Sequence, residues 1–204
     1  MSTHTPPLKR ESSDERKLAI AQAARELIIE KGFEGLRTRD IAERVGINIA
    51  TLHYHVPTKN ALIALVAETI RDQFSAQSAR RPRTGLSPLV QLRMEFEDQR
   101  ETLLETPDLI VLMTELIQRA RRDAAVECVM RPLYDYWVGQ FVEIYAAGRL
   151  DGTFRPDIDP VAAANITTGA VGDHWRQSDT SIALYDRIAA ELERAFLNPV
   201  SSKD

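Results

Sequence analysis

The sequence predicts an all-α protein of about nine helices. Apolar residues recur at three- and four-residue intervals along nearly every segment, without the sustained alternation of a half-buried strand. The segments are also bounded by helix-start residues (Ser12, Asn48, Thr58, Pro88, Pro107, Pro160) and by the stop residues Gly32 and Gly46. At 204 residues the chain suits one ordinary domain or two small ones, and its 44% apolar and 27% charged content is that of a soluble folded protein.

The first helix opens at "SSDE", where Ser12 and Glu15 form a capping box, and carries Ile20, Ala24, Leu27 and Ile28 on one face. Gly32 suits the left-handed position after it, with Phe33 folding back. Thr38 is placed as the N-cap of a short second helix that Gly46 ends, and Asn48 as the N-cap of a third. Thr58 caps a fourth, "KNALIALVAETIRDQFSAQ". "RRPRTGLSP" then reads as a junction, its Arg80, Arg81 and Arg83 a solvated charge run or a DNA contact. Pro88 and Pro107 open the fifth and sixth helices. The seventh covers residues 123 to 147, with Pro132 expected to kink or divide it. "GRLDGTFRPDIDP" is a turn-rich connection, Asp159-Pro160 begins the eighth helix and "SIALYDRIAAELERAFL" is the ninth.

Residues 38–55 form a unit of helix, tight glycine turn and second helix, the helix-turn-helix pattern. Ile41, Ala42 and Val45 point inward from its first helix, Ile47 and Leu52 from its second, and Ala50 is small enough for the backbones to approach. Ile49, Thr51, His53, Tyr54 and His55 are left facing outward, with donors, acceptors and apolar edges of the size a major groove presents. So short a helix is marginal alone and must be held by its neighbours. Residues 1–60 hold ten Lys/Arg against eight Asp/Glu, and the remainder sixteen against twenty-two. A mildly basic head on an acidic body permits DNA contact by one end.

Residues 13–66 resemble the DNA-binding domain of the tetracycline-repressor (TetR-type) family of bacterial regulators, through "EKGFEGLRTRDIAERVGINIATLHYHVPTKNALIALV". The family pattern is Gly-aromatic, Thr at the next helix start, "IA..G", a "TLY.H" recognition helix and a Lys-initiated fourth helix. His53 stands where tyrosine is usual and Ile49 where a polar residue is common. The resemblance implies a flexible tail at 1–11, a helix-turn-helix domain at 12–58, a ligand-binding and dimerisation domain at 59–198 and a second tail at 199–204. In the first tail, Lys9 and Arg10 are disordered or reach into a minor groove.

By the same resemblance Thr38 and Arg39 meet phosphate and a base edge, and Ile49 and Ala50 touch base methyls or edges. Thr51, His53, Tyr54 and His55 line the groove wall, Asn48 stands at its helix start, and Lys59 holds phosphate. The implied function is a ligand-responsive transcriptional regulator, a repressor binding a palindromic operator in double-stranded DNA as a homodimer. The implied dimer interface is Ile166, Gly169, Ala170, Leu184, Ile188, Leu192 and Phe196, where small residues allow close packing. An effector pocket would draw on Phe96, Met113, Trp137 and Phe141, each equally readable as ordinary core. The polar residues Gln99, Tyr134, Asn165, Thr168 and His174 lie on largely apolar helices, where they are satisfied within the core or orient a small molecule.

No Gly-rich phosphate loop, "GxSxG" or "HExxH" appears, so no catalytic residue, metal or cofactor is expected. His53 and His55 are two apart on a helix and point in different directions, which suits no metal. The one cysteine, Cys128, reads as a small buried hydrophobe in a reducing compartment. No signal peptide and no apolar run of ~18–20 residues is visible, so the expected location is the cytoplasm, away from membrane. The rival reading is a helical small-molecule-binding protein or enzyme whose head is structural only.

Overall fold

The computed structural model describes residues 12–176 and 181–199. The readings of Lys9 and Arg10, and of the chain beyond Pro199, fall outside them. The chain divides into two compact units, the first ending at Thr69 and the second beginning at Ile70. Among the described residues the elements are α1 (Ser13–Lys31), a 3₁₀ turn (Phe33–Gly35), α2 (Thr38–Val45), α3 (Ile49–His55), α4 (Lys59–Ala79), α5 (Pro88–Glu105), α6 (Pro107–Ala120), α7 (Ala124–Asp151), α8 (Pro160–Arg176) and α9 (Ile182–Phe196). The fold is all-α; the extended pairing among these residues is a single bridge between Phe154 and Leu197. None of the described helices is long and apolar enough to cross a membrane.

In the first unit α1, α2 and α3 pack on one another around Ile20, Leu27, Ile28, Ile41 and Leu52, each no more than 1% exposed. The capping box forms: Ser12 N–H donates to Glu15 Oε2 at 2.7 Å, and Glu15 N–H to Ser12 Oγ at 3.1 Å. Gly32 differs from expectation. Its φ of 69° is positive but its ψ of 169° lies outside the left-handed helical well, in a region that glycine alone adopts readily. This reversal returns the ring of Phe33 to the core, 3% exposed. Helix α2 also corrects the sequence: Arg37 is its N-cap and Thr38 its first helical residue, with no side-chain cap bond. Arg44 clamps α2 to α1 through a bidentate pair with Glu30 at 2.7 and 2.8 Å, and Lys31 meets Asp40 at 2.7 Å.

In the second unit α7 departs from expectation at three points. It runs unbroken past Pro132, because that proline lies on the exposed side, where the carbonyl it strands can meet water. Cys128, one turn earlier on the same stripe, is exposed and not buried. The helix also continues through Gly148, Arg149 and Leu150 to Asp151, stopping at the left-handed Gly152 (φ 83°, ψ 4°). The continuation brings Gly148 under the fully buried Phe154, whose N–H donates to the Gly148 carbonyl at 2.9 Å. Phe154 joins Leu92, Phe96, Phe141, Tyr145 and Phe196 in the main core. The loop at 80–87 is largely exposed, as is Arg80, but its charges are not free: Arg80, Arg81 and Arg83 all pair with carboxylates of α5, and Arg83 is mostly buried.

A Cβ built on Gly148 would sit 2.1 Å from Phe154 Cδ2, an overlap that a buried ring can relieve only by displacing its neighbours. Gly148→Ala is expected to lower stability by about 1–3 kcal/mol. Urea unfolding followed by circular dichroism measures it, and a loss below ~0.5 kcal/mol would show that the α7–Phe154 packing yields.

Candidate functional site

The first unit presents an exposed face built on α2 and α3. Gly46, in the left-handed conformation (φ 73°, ψ 32°), reverses the chain after α2, and the N–H of Ile47 donates back to the Ala42 carbonyl at 2.9 Å. Asn48 Oδ1 accepts from Thr51 N–H at 2.7 Å and starts α3. One residue of α3, Leu52, is fully buried and fixes the helix's rotation. Ile49 is 41% exposed and Tyr54 82%, so large apolar and aromatic groups stand in solvent on a seven-residue helix. Ala50 and His53 are exposed as well, while Thr51 and His55 are half-buried. Ala50 therefore lies on the outer face and does not separate the two helix backbones. The rings of Tyr54 and His55 meet edge-on at 5.1 Å.

Thr38 and Arg39 are exposed at the start of α2, beside the exposed Arg37, which sequence reasoning missed by placing the helix start one residue late. Asn48 is exposed with its amide oxygen committed to the cap. The Lys59 ammonium stands 4.3 Å from the centroid of the Phe33 ring, a cation–π contact that orients it at the head of α4.

The second unit encloses a cavity of about 360 Å³. It is walled by α4 (Phe74, Gln77, Ser78), α5 (Glu95, Asp98, Gln99), α6 and the residue after it (Met113, Ile117, Arg121), α7 (Met130 to Gln140) and α8 (Thr168 to Trp175). Trp137 and Trp175 stack with centroids 5.4 Å apart and planes 14° from parallel, and Tyr134 meets Trp137 edge-on at 6.4 Å. Gln99 Oε1 and the indole nitrogens of both tryptophans are buried with no hydrogen-bond partner among the described residues. Along one edge, Arg83 spans Glu95 at 3.2 Å and Asp98, Arg81 spans Asp98 and Glu101, and Arg80 meets Glu101. Burial pushes the Glu95 carboxyl up to about 7; Arg83 opposes that rise and the neighbouring Asp98 reinforces it.

Of the residues picked from sequence for a pocket, Gln99, Met113, Tyr134, Trp137 and Thr168 line this cavity. Phe96 and Phe141 sit in the main core beside it, and His174 is buried against the Tyr185 ring. Asn165 is exposed, its amide donating to the Val161 carbonyl at 2.8 Å. Glu95 and Trp175 were missed. A charge at position 95, between Leu92 and Gln99 on a helical stripe, was the available signal for the first. Of the residues picked for an interface, Ile166 is 56% exposed and Gly169 exposed, Ala170, Leu184 and Ile188 are half-buried, and Leu192 and Phe196 belong to the main core.

The helix-turn-helix with an exposed second helix has the form of a DNA-reading head. Residues 20–66 match the family described as bacterial regulatory proteins, tetR family. The tetracycline repressor protein class D of Escherichia coli is 42% identical over 52 residues, 26% of this chain and 24% of that protein. The match thus spans about a quarter of that repressor's length. The HTH-type transcriptional repressor KstR2 of Rhodococcus jostii is 22% identical over 205 residues, covering 97% of this chain and 98% of its own. The crystal structure of the transcriptional regulator FadR from Bacillus subtilis in complex with stearoyl-CoA superposes with a TM-score of 0.74 at 16% identity, over 86% of this chain and 96% of that one. At this identity the likeness is one of fold.

Glu95 makes stability depend on pH. Its carboxyl holds a proton more tightly folded than unfolded, so its contribution is fully present below the unfolded value near 4.5 and is lost as pH rises through about 7. Relative to Glu95→Gln, the native chain is expected to lose about 2–3 kcal/mol between pH 4.5 and 8. Urea unfolding of both proteins across that range tests it; parallel stability profiles would refute it.

Proposed function

We propose that this protein is a ligand-responsive transcriptional repressor of the bacterial cytoplasm, which binds a palindromic operator as a homodimer and is released by a small molecule. The observation that carries the proposal is the outward face of α3. It places Ile49, Ala50, His53 and Tyr54 in solvent on a helix that a buried Leu52 and an asparagine cap hold in position. Those side chains suit base edges and thymine methyls, and Arg37, Thr38, Arg39 and Lys59 suit flanking phosphates. One helix of this length reads too few base pairs for useful specificity. Two copies in successive major grooves, about 34 Å apart, would read an inverted repeat.

The exposed apolar residues Val161 and Ile166 on α8, 57% and 56% exposed, support that helix as part of the two-fold interface. Gly169 and Ala170 allow close approach beside them, with Leu184 and Ile188 of α9 at its edge. Leu192 and Phe196 would act from beneath, holding α9 in place. The cavity supports the effector site, and the FadR complex is an instance of this fold holding a small molecule. Helix α4 belongs to both units, so its displacement by a ligand would change the separation of the two reading heads. By linkage the ligand must then favour the DNA-incompetent form, with coupling of about 1–3 kcal/mol.

Selection from a pool of random DNA duplexes tests the proposal: an inverted repeat is the expected product, and no enrichment from folded protein would refute it. On the selected site, His55→Ala with Lys59→Ala is expected to cost about ten-fold or more in affinity with folding intact, as is Tyr54→Ala. Variants that bind normally would make the head structural only. Ile166→Glu is expected to shift the protein from dimer to monomer in sedimentation velocity; an unchanged dimer would place the interface elsewhere.

A further inference from the structure

Glu95 and Gln99 lie one turn apart on α5, so their side chains leave the same helix face, and both line the cavity. Each is only 6% exposed. Gln99 Oε1 is a buried acceptor with no donor among the described residues. The Glu95 carboxylate meets one guanidinium, that of Arg83, which Asp98 shares. Burial raises its carboxyl despite that partner, and the neighbouring Asp98 adds to the rise. The rest of the lining is apolar and aromatic: the Trp137–Trp175 stack, Tyr134, Phe74, Met113 and Leu133. Aromatic faces are negative and attract cations, more strongly where water is excluded. Arg121, the one basic lining residue among those described, is exposed, where solvent screens it.

Two acceptors on one face, a carboxylate whose single guanidinium partner is shared, and negative ring faces favour the same chemistry at this end of the cavity. An anion would meet two oxygens that repel it. A neutral apolar molecule would leave Gln99 Oε1 without a donor and Glu95 short of charge, each a cost in a buried site. A quaternary ammonium would supply charge but no N–H. We infer that the cavity takes a protonated amine or amidine carried on an apolar or aromatic body, its N–H groups shared by Glu95 and Gln99 and its body packed against the stacked indoles. This rests on the second unit being the effector-binding body of the proposed regulator.

The chain's only two tryptophans are Trp137 and Trp175, so its tryptophan emission reports on the cavity wall alone. The protein is titrated at pH 8 with 4-phenylbutylammonium, neutral 4-phenylbutanol and anionic 4-phenylbutyrate, following tryptophan emission. The ammonium is expected to bind about ten-fold or more tightly than the alcohol, and the butyrate most weakly. Glu95→Gln is expected to reduce the ammonium's advantage to about two-fold while the alcohol's affinity is unchanged. Gln99→Leu, a change of similar volume, should weaken the ammonium and strengthen the alcohol. An alcohol or butyrate that binds as tightly as the ammonium, or a Glu95→Gln protein that keeps the preference, overturns the cationic class and leaves the effector cavity standing. If none of the three alters the emission at millimolar concentration, the cavity is not an effector site and the inference falls with it, while selection of an inverted repeat would still establish DNA recognition independently.

Discussion

A seven-residue helix in water cannot hold itself together, and the reading head is organised around that constraint. Helix α3 is stabilised from outside its own sequence: by the burial of Leu52, by the cap of Asn48 and by the left-handed turn at Gly46 that delivers the chain to it. Helix α2 is short too, and is tied to the longer α1 by the Arg44–Glu30 and Lys31–Asp40 pairs. Exposed ion pairs of this kind contribute little to stability. Their value lies in fixing rotation and register, which decide where Tyr54 and Ile49 stand. Four outward side chains adjoin one buried leucine, so the recognition surface and the core are set by the same few residues.

The second unit concentrates its electrostatic cost on α5. Glu95, Asp98 and Glu101 occur within seven residues, and the loop after α4 answers with Arg80, Arg81 and Arg83. Partly buried ion pairs of this kind contribute little net stability, because desolvation offsets their attraction. Here the arrangement leaves one carboxylate half-answered at the edge of a cavity. The loop that supplies its partner arginine follows directly on α4, so a ligand that competes for Glu95 would act on the element proposed to carry the response.

Much of the fold was legible because its signals are local. The capping box at Ser12, the Asn48 and Thr58 caps, and Pro88 and Pro107 at helix starts all depend on residues three or four apart. The misreadings in the second unit were non-local. Pro132 divides no helix because its side of α7 is solvent, Gly148 continues α7 because Phe154 returns to cover it, and Arg83 is held in place by residues 12 and 15 positions later. None of these facts is contained in a window of one helical turn.

The sequence by itself determined the helical architecture, the helix-turn-helix and the outward placement of Ile49, His53 and Tyr54 on α3, since periodicity, caps and a short family pattern are written in contiguous residues. Tertiary structure alone decided which side chains meet across helices. It put Trp137 against Trp175, brought Glu95 and Gln99 to a cavity wall, and assigned Phe96, Phe141, Leu192 and Phe196 to the core. A helix's pattern states which face is apolar but not which neighbour covers it, and a cavity is the space that several such faces leave unfilled.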